Sequence, residues 1–403
     1  MLSKKPICNA PFANIYIDGK GNVTPCCFNR DDVFGNIYHD EIENIWNSSN
    51  AKAIRETLLN YKFPKGCQVC ERALKYKNYY NSGIFTFSKL NYKKKEIQSI
   101  DFELSYWCNL SCIMCNLHTK KYELTNEQEN ELLKKISPLI VHLKKVRFYG
   151  GEPMLVPIYK KIWKLIIETN PRCNILLQTN GMILEPELIK HATKGNFTFN
   201  VSLDSLNAEK ANKIRRGSQL NLILKNIEQM KKLTKNCVTL TVTPMTLNWE
   251  EIPNLVKFAN KNSLQIFFND LIQPKKLSLW ALKAEELNKI RKSYQIKTFF
   301  PYTFIRLLNL IKFKSLINHI QSLKNEALKR PNYSQNDLDV YTQTVYHILI
   351  QKIPHFANLD KALLTQKIQS ILFYHKIEEI VLFLQNTSVE LIEYKVNEIL
   401  NQE

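Results

Sequence analysis

Glycine is scarce in this chain, 10 residues in 403, and cysteine disappears altogether after Cys237. There is also no uncharged run of about 18 residues, the length a membrane-spanning helix needs. The opening residues Met1-Leu2-Ser3-Lys4-Lys5-Pro6-Ile7 lack the apolar core of a secretion signal. These absences lead us to expect a soluble cytoplasmic protein. Acidic residues are in the minority, 37 against 56 Lys and Arg, for a formal charge of +19. Such a charge suits an acidic partner such as RNA, an acidic peptide or an anionic membrane. Missing, however, is the interleaving of aromatic with basic residues that a single-strand reader uses. Abundant Lys, Asn and Ile beside few Gly point instead to AT-rich coding as the source of the charge, so a nucleic-acid partner is disfavoured. With 44% hydrophobic residues the chain is not a disordered one, and its length suits two or three domains.

Eight of the ten cysteines fall in the first 115 residues. In a reducing compartment such clustering argues for metal rather than disulfides. The densest stretch is Ser105-Tyr106-Trp107-Cys108-Asn109-Leu110-Ser111-Cys112-Ile113-Met114-Cys115, with three thiols in eight residues. Thiolates favour zinc or iron-sulfur clusters, and structural zinc closes with four ligands. The spacing Cys-x3-Cys-x2-Cys comes with no fourth Cys or His at matching distance, which suggests a cluster with one iron left open. His118 as a fourth ligand would restore a closed metal site.

This spacing resembles the signature of the radical S-adenosylmethionine (radical SAM) enzymes. The resemblance implies that Cys108, Cys112 and Cys115 hold a [4Fe-4S] cluster whose fourth iron chelates S-adenosylmethionine. One electron, from a donor such as flavodoxin or ferredoxin, then cleaves the sulfonium to a 5′-deoxyadenosyl radical that abstracts hydrogen from substrate. The protein's part is to bind, orient and exclude water. Met114 stands where the family often has an aromatic residue.

Upstream, Ile15-Tyr16-Ile17 and Val23-Thr24 flank Asp18-Gly19-Lys20-Gly21, a β-hairpin pattern that brings Cys8 and Cys26 together. Helices are expected around Ile42–Asn47 and Asn50–Asn60, followed by Cys67-Gln68-Val69-Cys70. Four thiols in two facing pairs suit either zinc or an iron-sulfur cluster. The cysteine spacing, Gly35-Asn36-Ile37 and Ile45-Trp46-Asn47-Ser48 resemble the SPASM or twitch module, which carries auxiliary [4Fe-4S] clusters. That resemblance implies one auxiliary cluster on Cys8, Cys26, Cys67 and Cys70, with Cys27 the rival of Cys26. The module precedes the expected barrel, whereas the common order is the reverse. Residues 76–96 read as a linker.

From residue 97 to 274, short β-branched or aromatic runs alternate with amphipathic helical runs, the pattern of βα units. Six strands are expected, at 97–105, 146–149, 175–179, 197–204, 238–244 and 264–269. They would form an α/β fold, a partial (β/α)6 TIM-like barrel whose cysteine loop leaves the C-terminal end of the first strand, as in such barrels. A Thr125/Gln128 capping box opens the helix after that loop, and Pro138 is expected to end or kink it near Ile136. Tyr149-Gly150-Gly151-Glu152-Pro153 resembles the family's Gly-Gly-Glu-Pro motif, which implies that Gly150, Gly151 and Glu152 hold the cofactor's amino group. Asn180, in the turn after the third strand, is expected to face the cofactor. Ser202 and Asp204 resemble the ribose-contacting positions. In Ile214-Arg215-Arg216-Gly217, Arg216 is preferred to Arg215 as the partner of the cofactor's carboxylate. Cys173 and Cys237 read as buried hydrophobes. No residue is assigned to the chemical step itself.

Residues 275–403 read as an α-helical domain broken at Pro331-Asn332. The part from 275 to 330 holds 13 Lys or Arg against 3 Asp or Glu, and the remainder 5 against 9. The two parts would pack on one another, or the basic one, around Phe304–Lys314, would present a partner or membrane-surface helix. The function expected is hydrogen abstraction from a peptide or a small molecule such as a sugar. An RNA-modifying radical SAM enzyme and a non-catalytic iron-sulfur scaffold are the alternatives.

Overall fold

The computed structural model describes residues 5–115, 123–234, 238–295, 300–331 and 333–400. His118, Cys237 and Asn332, named above, lie outside them, as does the opening Met1–Lys4. The strands are β1 (Asn14–Asp18), β2 (Asn22–Thr24), β3 (Gly35–Asn36), β4 (Ser99–Glu103), β5 (Ser111–Cys112), β6 (Lys145–Phe148), β7 (Asn174–Thr179), β8 (Asn196–Ser202), β9 (Arg215–Arg216), β10 (Val238–Val242) and β11 (Gln265–Phe268). Six of them, β4, β6, β7, β8, β10 and β11, pair in parallel in that order. They are the six strands expected from the βα pattern, in the arrangement of a partial TIM-like barrel.

Helices cover the sheet's outer face, as parallel strands require. Pro157–Thr169 buries Ile158, Tyr159, Ile162, Trp163 and Ile166 at helical spacing. Trp163 sits edge-on to Phe148 of β6 and Phe197 of β8. The helix Asn126–Ile140 opens with the Thr125/Gln128 capping box but runs through Pro138 rather than ending near Ile136. The missing proline N–H frees a backbone carbonyl within the preceding turn, and the Ser137 hydroxyl, which donates to Leu133 O at 2.5 Å, binds a carbonyl of that turn.

The N-terminal hairpin is not free-standing. β1 runs parallel to β4, with Asn14 opposite Ser99 and Asp18 opposite Glu103, so the cysteine-rich segment and the barrel share one nine-stranded sheet. A buried polar knot holds this seam. Arg147 Nε donates to Asp101 Oδ1 at 2.5 Å, and Asn14 Nδ2 reaches Asp101 Oδ2 and Pro25 O. Residues 76–81, expected as linker, pack against the other edge of the barrel. Asn81 Nδ2 donates to Phe268 O at 2.7 Å, and the Tyr76 ring lies 4.7 Å from that of Trp280.

The chain divides into two units, one of Met1–Ala281 with Leu287–Ser322, the other of Leu282–Glu286 with Leu323–Glu403. The boundary therefore falls later than residue 275. The physical reason is Asn309, fully buried in the helix Phe304–Ala327. Its Oδ1 accepts the N–H of Ile266 on edge strand β11, and its Nδ2 donates to Asn260 Oδ1 and Leu264 O. A free strand edge is thereby satisfied by a side chain. In the second unit, helices Gln335–Lys352, Lys361–Leu372, Ile377–Asn386 and Val389–Leu400 gather around Leu349, Phe356, Ile368, Leu372 and Ile392. No helix among the described residues is long and apolar enough to cross a membrane.

Candidate functional site

The cysteine triad leaves the C-terminal end of β4, the end at which barrel active sites form. Two backbone ladders hold this loop. On one side, β5 pairs antiparallel with β9, Ser111 opposite Arg216 and Cys112 opposite Arg215, and Ile113 N donates to Ile214 O. On the other, Gly151 N donates to Ser105 O at 3.1 Å and Glu152 N to Trp107 O at 2.7 Å. This second approach explains the paired glycines. A Cβ on Gly150 would lie 2.1 Å from Ser105 O, one on Gly151 2.0 Å from Trp107 O, and Gly150 also has φ +113°. Gly150 and Gly151 thus lie against the cysteine loop itself.

Each thiol with a described donor receives an N–H. Cys108 Sγ accepts from Leu110 N at 3.4 Å and Asn180 Nδ2 at 3.8 Å, and Cys112 Sγ from Arg215 Nη1 at 3.8 Å. Burial pushes both thiols up, while these donors and the Arg215 charge pull toward thiolate. Such bonds to sulfur are one means by which proteins set cluster potentials.

Asn180 lies in the turn after β7, beside the cysteine loop. Its Nδ2 also donates to Asn109 Oδ1 at 2.8 Å, and its Oδ1 caps Met182 N. Ser202 is half-buried on β8 and accepts from Gln178 Nε2 at 3.3 Å.

The geometry bears on three of these expectations. The Glu152 carboxylate is fully buried and points away from solvent, accepting from Asn180 N at 2.8 Å, Thr179 Oγ1 at 2.9 Å and Met154 N at 3.3 Å. It ties the glycine loop to the end of β7, and burial pushes its pKa up to about 7. Asp204 is 1% exposed, its oxygens taken by Thr243 N at 2.7 Å and Arg215 Nε at 2.8 Å, so it presents nothing to a ribose. Arg215, not Arg216, is the arginine turned toward the cysteines; the strand alternation that leaves Arg215 half-buried against Asp204 leaves Arg216 exposed.

In the N-terminal segment, Cys8, Cys26, Cys67 and Cys70 line one cavity together with Asn29, Leu58 and Gly83. Cys27 lies outside it, on the side of Asp101, Arg147 and Tyr149. Donors reach the cavity thiols as well: Gly83 N to Cys70 Sγ at 3.2 Å, Asn29 Nδ2 to Cys67 Sγ at 3.4 Å, and Ala10 N to Cys8 Sγ at 3.5 Å. A Cβ on Gly66 would fall 2.1 Å from Asn29 Oδ1, so this glycine lets the Cys67 donor approach. Burial pushes Cys8 up to about 12 and Cys67 to about 11, so ligation would release protons. The four thiols thus face one common space. Cys173 is buried, as expected of a packed hydrophobe.

The sequence reading missed the group between the two thiol sets. Tyr16 of β1 hydrogen-bonds Glu103 at the end of β4, and Arg30 pairs with the same carboxylate at 2.7 Å. The signal was present: Asp101 and Glu103 alternate with apolar residues in Ile100–Leu104, which marks one polar face on an otherwise buried strand.

A cysteine loop at the mouth of a partial barrel, with a second thiol set beside a hairpin of the same sheet, has the layout of an iron-sulfur protein. Comparison with known families agrees. Residues 102–259 match the Radical SAM superfamily, and residues 8–71 match SPASM, an iron-sulfur cluster-binding domain. The chain thus carries a radical SAM domain, preceded on its N-terminal side by a SPASM domain. The family implies a [4Fe-4S] cluster and S-adenosylmethionine as cofactors, and the SPASM domain a further iron-sulfur cluster. Among curated relatives, GTP 3′,8-cyclase of Synechocystis is 28% identical over 50% of this chain and 64% of its own length. That of Clostridium acetobutylicum is 31% identical over 41% and 53%. The chain thus spans little more than half to two thirds of the length of these relatives. Among solved structures, anSMEcpe with bound AdoMet is similar at 19% identity, covering 49% of this chain and 59% of that one, with a TM-score of 0.41. Streptococcus suis SuiB bound to S-adenosylmethionine is similar at 15%, covering 62% and 53%, with a TM-score of 0.40.

Proposed function

We propose that this protein uses S-adenosylmethionine to abstract hydrogen from a peptide or a small molecule such as a sugar. When bound, the cluster and S-adenosylmethionine supply the chemistry: one-electron cleavage to a 5′-deoxyadenosyl radical. The observation that carries the reading is the convergence on one loop of Cys108, Cys112 and Cys115 with the Gly150-Gly151 backbone, Asn180 and Arg215. These residues would bind and orient. Gly150 and Gly151 offer backbone close to the loop, Asn180 and Arg215 donate to sulfur, and Ser202 keeps a hydroxyl on the inner face of β8. Arg216 remains the exposed cation for the cofactor's carboxylate. Cys8, Cys26, Cys67 and Cys70 would hold an auxiliary [4Fe-4S] cluster, placed to bind substrate or to take the electron left after hydrogen abstraction. That role fits oxidation, epimerisation or crosslinking better than methylation. A flavodoxin or ferredoxin would supply the first electron. Within the small-molecule class, the GTP 3′,8-cyclase relatives favour a nucleotide as the alternative to a sugar. The test is anaerobic reconstitution with iron and sulfide, then reduction with S-adenosylmethionine. Release of 5′-deoxyadenosine is expected; a fully reconstituted chain that releases none would refute the reading.

A further inference from the structure

At the end of the first unit opposite the cysteine triad, exposed apolar side chains and exposed cations stand together. The helix Phe304–Ala327 fixes the direction. Asn309 binds Ile266 N and Leu264 O at the start of β11, while further along the helix His319 lies beside Asp270, past the end of that strand. The helix therefore runs alongside β11 in the same sense, and its first turns extend beyond the strand's N-terminal end. There Phe300 is 81% exposed, Tyr302 64% and Phe304 73%; Leu307 and Ile311, one and two turns further on the same helix face, are exposed as well. The Arg306 guanidinium lies 3.7 Å from the Tyr302 ring centroid, so a cation stands among them. The same end receives the segments that enter the barrel strands, and each of these presents an exposed cation: Lys95 before β4, Lys144 before β6, Arg172 before β7, Lys194 before β8, Lys232 before β10 and Lys261 before β11. The carboxylates within four residues of these cations in the chain, Glu96, Glu168 and Glu228, pair with Lys94, Lys164 and Lys231. Helix dipoles account for cations here, because the barrel helices end at this face. They do not account for the exposed apolar side chains beside them.

We propose that this end is a docking surface for an anionic lipid bilayer, on which the apolar cluster enters the headgroup boundary while the cations meet lipid phosphates. Three arguments select that occupant. A second copy docked face to face would set one ring of cations against another. An acidic electron carrier must approach the cysteine triad, which lies at the opposite end of the strands. RNA would be held by the cations and has no use for Leu307 and Ile311, whereas a lipid surface uses both features. Docking by this face turns the cysteine mouth away from the bilayer and leaves it open. The inference stands on the surface alone and does not depend on the proposed reaction.

The test is flotation of the full, anaerobically reconstituted chain with vesicles of phosphatidylcholine alone, or of phosphatidylcholine and phosphatidylglycerol in equal parts. Retention is expected on the anionic vesicles and not on the neutral ones. A basic chain adheres to any anionic surface, so variants that keep or match its charge decide. Phe304→Ser with Leu307→Ser keeps every charge and should weaken retention about tenfold. Lys144→Gln with Lys194→Gln should also weaken it about tenfold. Lys213→Gln with Lys276→Gln removes as much charge from exposed positions at the mouth end and should change retention less than about twofold. All six replaced side chains are exposed, and an unchanged denaturation midpoint verifies each fold. Absence of retention on anionic vesicles would overturn the proposal, as would equal losses in the two lysine pairs or undiminished retention in the serine variant. Association with polyuridylate RNA, or with a second copy in ultracentrifugation, that is tighter than vesicle binding and lost in the serine variant would assign the face to that partner and overturn it too.

Discussion

Replacing Gly151 by alanine places one methyl carbon where the backbone of the cysteine loop already stands. The new Cβ would lie 2.0 Å from Trp107 O, 2.3 Å from Trp107 C and 2.6 Å from Tyr106 C. Backbone atoms cannot swing aside as a side chain does, so the two loops must separate by roughly 1 Å or more to reach ordinary contact. That separation breaks the bonds Glu152 N to Trp107 O and Gly151 N to Ser105 O. Each buried group left unpaired costs about 1–3 kcal/mol, so the substitution should destabilise by about 2–6 kcal/mol and loosen the triad. The control is Gly83→Ala, whose Cβ would meet nothing closer than 3.4 Å; it should cost less than about 1 kcal/mol. Chemical denaturation gives the energy, and iron content after gel filtration reports the loop. A Gly151→Ala protein within about 1 kcal/mol of wild type that holds its full iron would refute the argument that backbone crowding selects glycine here.

Reconstituted wild type should carry about eight irons, two clusters of four; Cys26→Ala should lose about half of them and Cys27→Ala none, by colorimetric assay, and the opposite ranking would exchange their roles. Arg215→Ala leaves Asp204 buried and unpaired and should cost about 3–5 kcal/mol, whereas exposed Arg216→Ala should stay within about 0.5 kcal/mol while weakening S-adenosylmethionine binding. Glu152 has a folded pKa of about 7 against an ordinary 4.5, so the folded state holds its proton more tightly. The stability it contributes is complete below pH 4.5 and lost as pH rises through 7, roughly 3 kcal/mol in all. The denaturation free energy of wild type minus Glu152→Gln should fall across that window, and a flat difference would show that burial does not set this carboxyl.

Where the sequence could be read, the reason was local. The six barrel strands announce themselves because a parallel strand is buried on both faces and is mostly apolar or β-branched, as in Asn174–Thr179 and Val238–Val242. The capping box at Thr125 is a relation between residues three apart. The cysteine triad and the four cavity thiols were likewise picked out by short-range spacing. What could not be read depends on partners distant in the chain. Arg215 and Arg216 are equivalent as letters, and only the pairing of β9 with β5 decides which one turns inward. Asp204 looks free for a ribose until Thr243, on the loop after β10, and Arg215 take its oxygens. Asn309 reads as one polar residue in an apolar helix; its worth lies in the unpaired N–H of β11, 43 residues away.

The same reasoning changes how the two thiol sets relate. A SPASM segment placed before the barrel might be pictured as a bead on a string, its cluster positioned by a linker. The parallel pairing of β1 with β4 excludes that arrangement, because Asp18 is opposite Glu103 in the sheet and the cysteine loop begins two residues beyond Glu103. Hydrogen-bonded neighbours in a sheet move together, so Cys26, just after the hairpin, is fixed relative to Cys108 by backbone geometry. The segment 76–81 adds a second tie across the other edge through Asn81 and Phe268. Loosening one seam while sparing the other therefore separates the two contributions. Asn81→Ala removes the tie at β11 and leaves the β1–β4 register intact, so it should have little effect on either iron site. Tyr16→Phe removes a bond to Glu103 at the β1 seam and leaves the tie at β11 in place. If Asn81→Ala instead released the auxiliary iron, the segment following Cys70, and not the shared sheet, would be what holds that site.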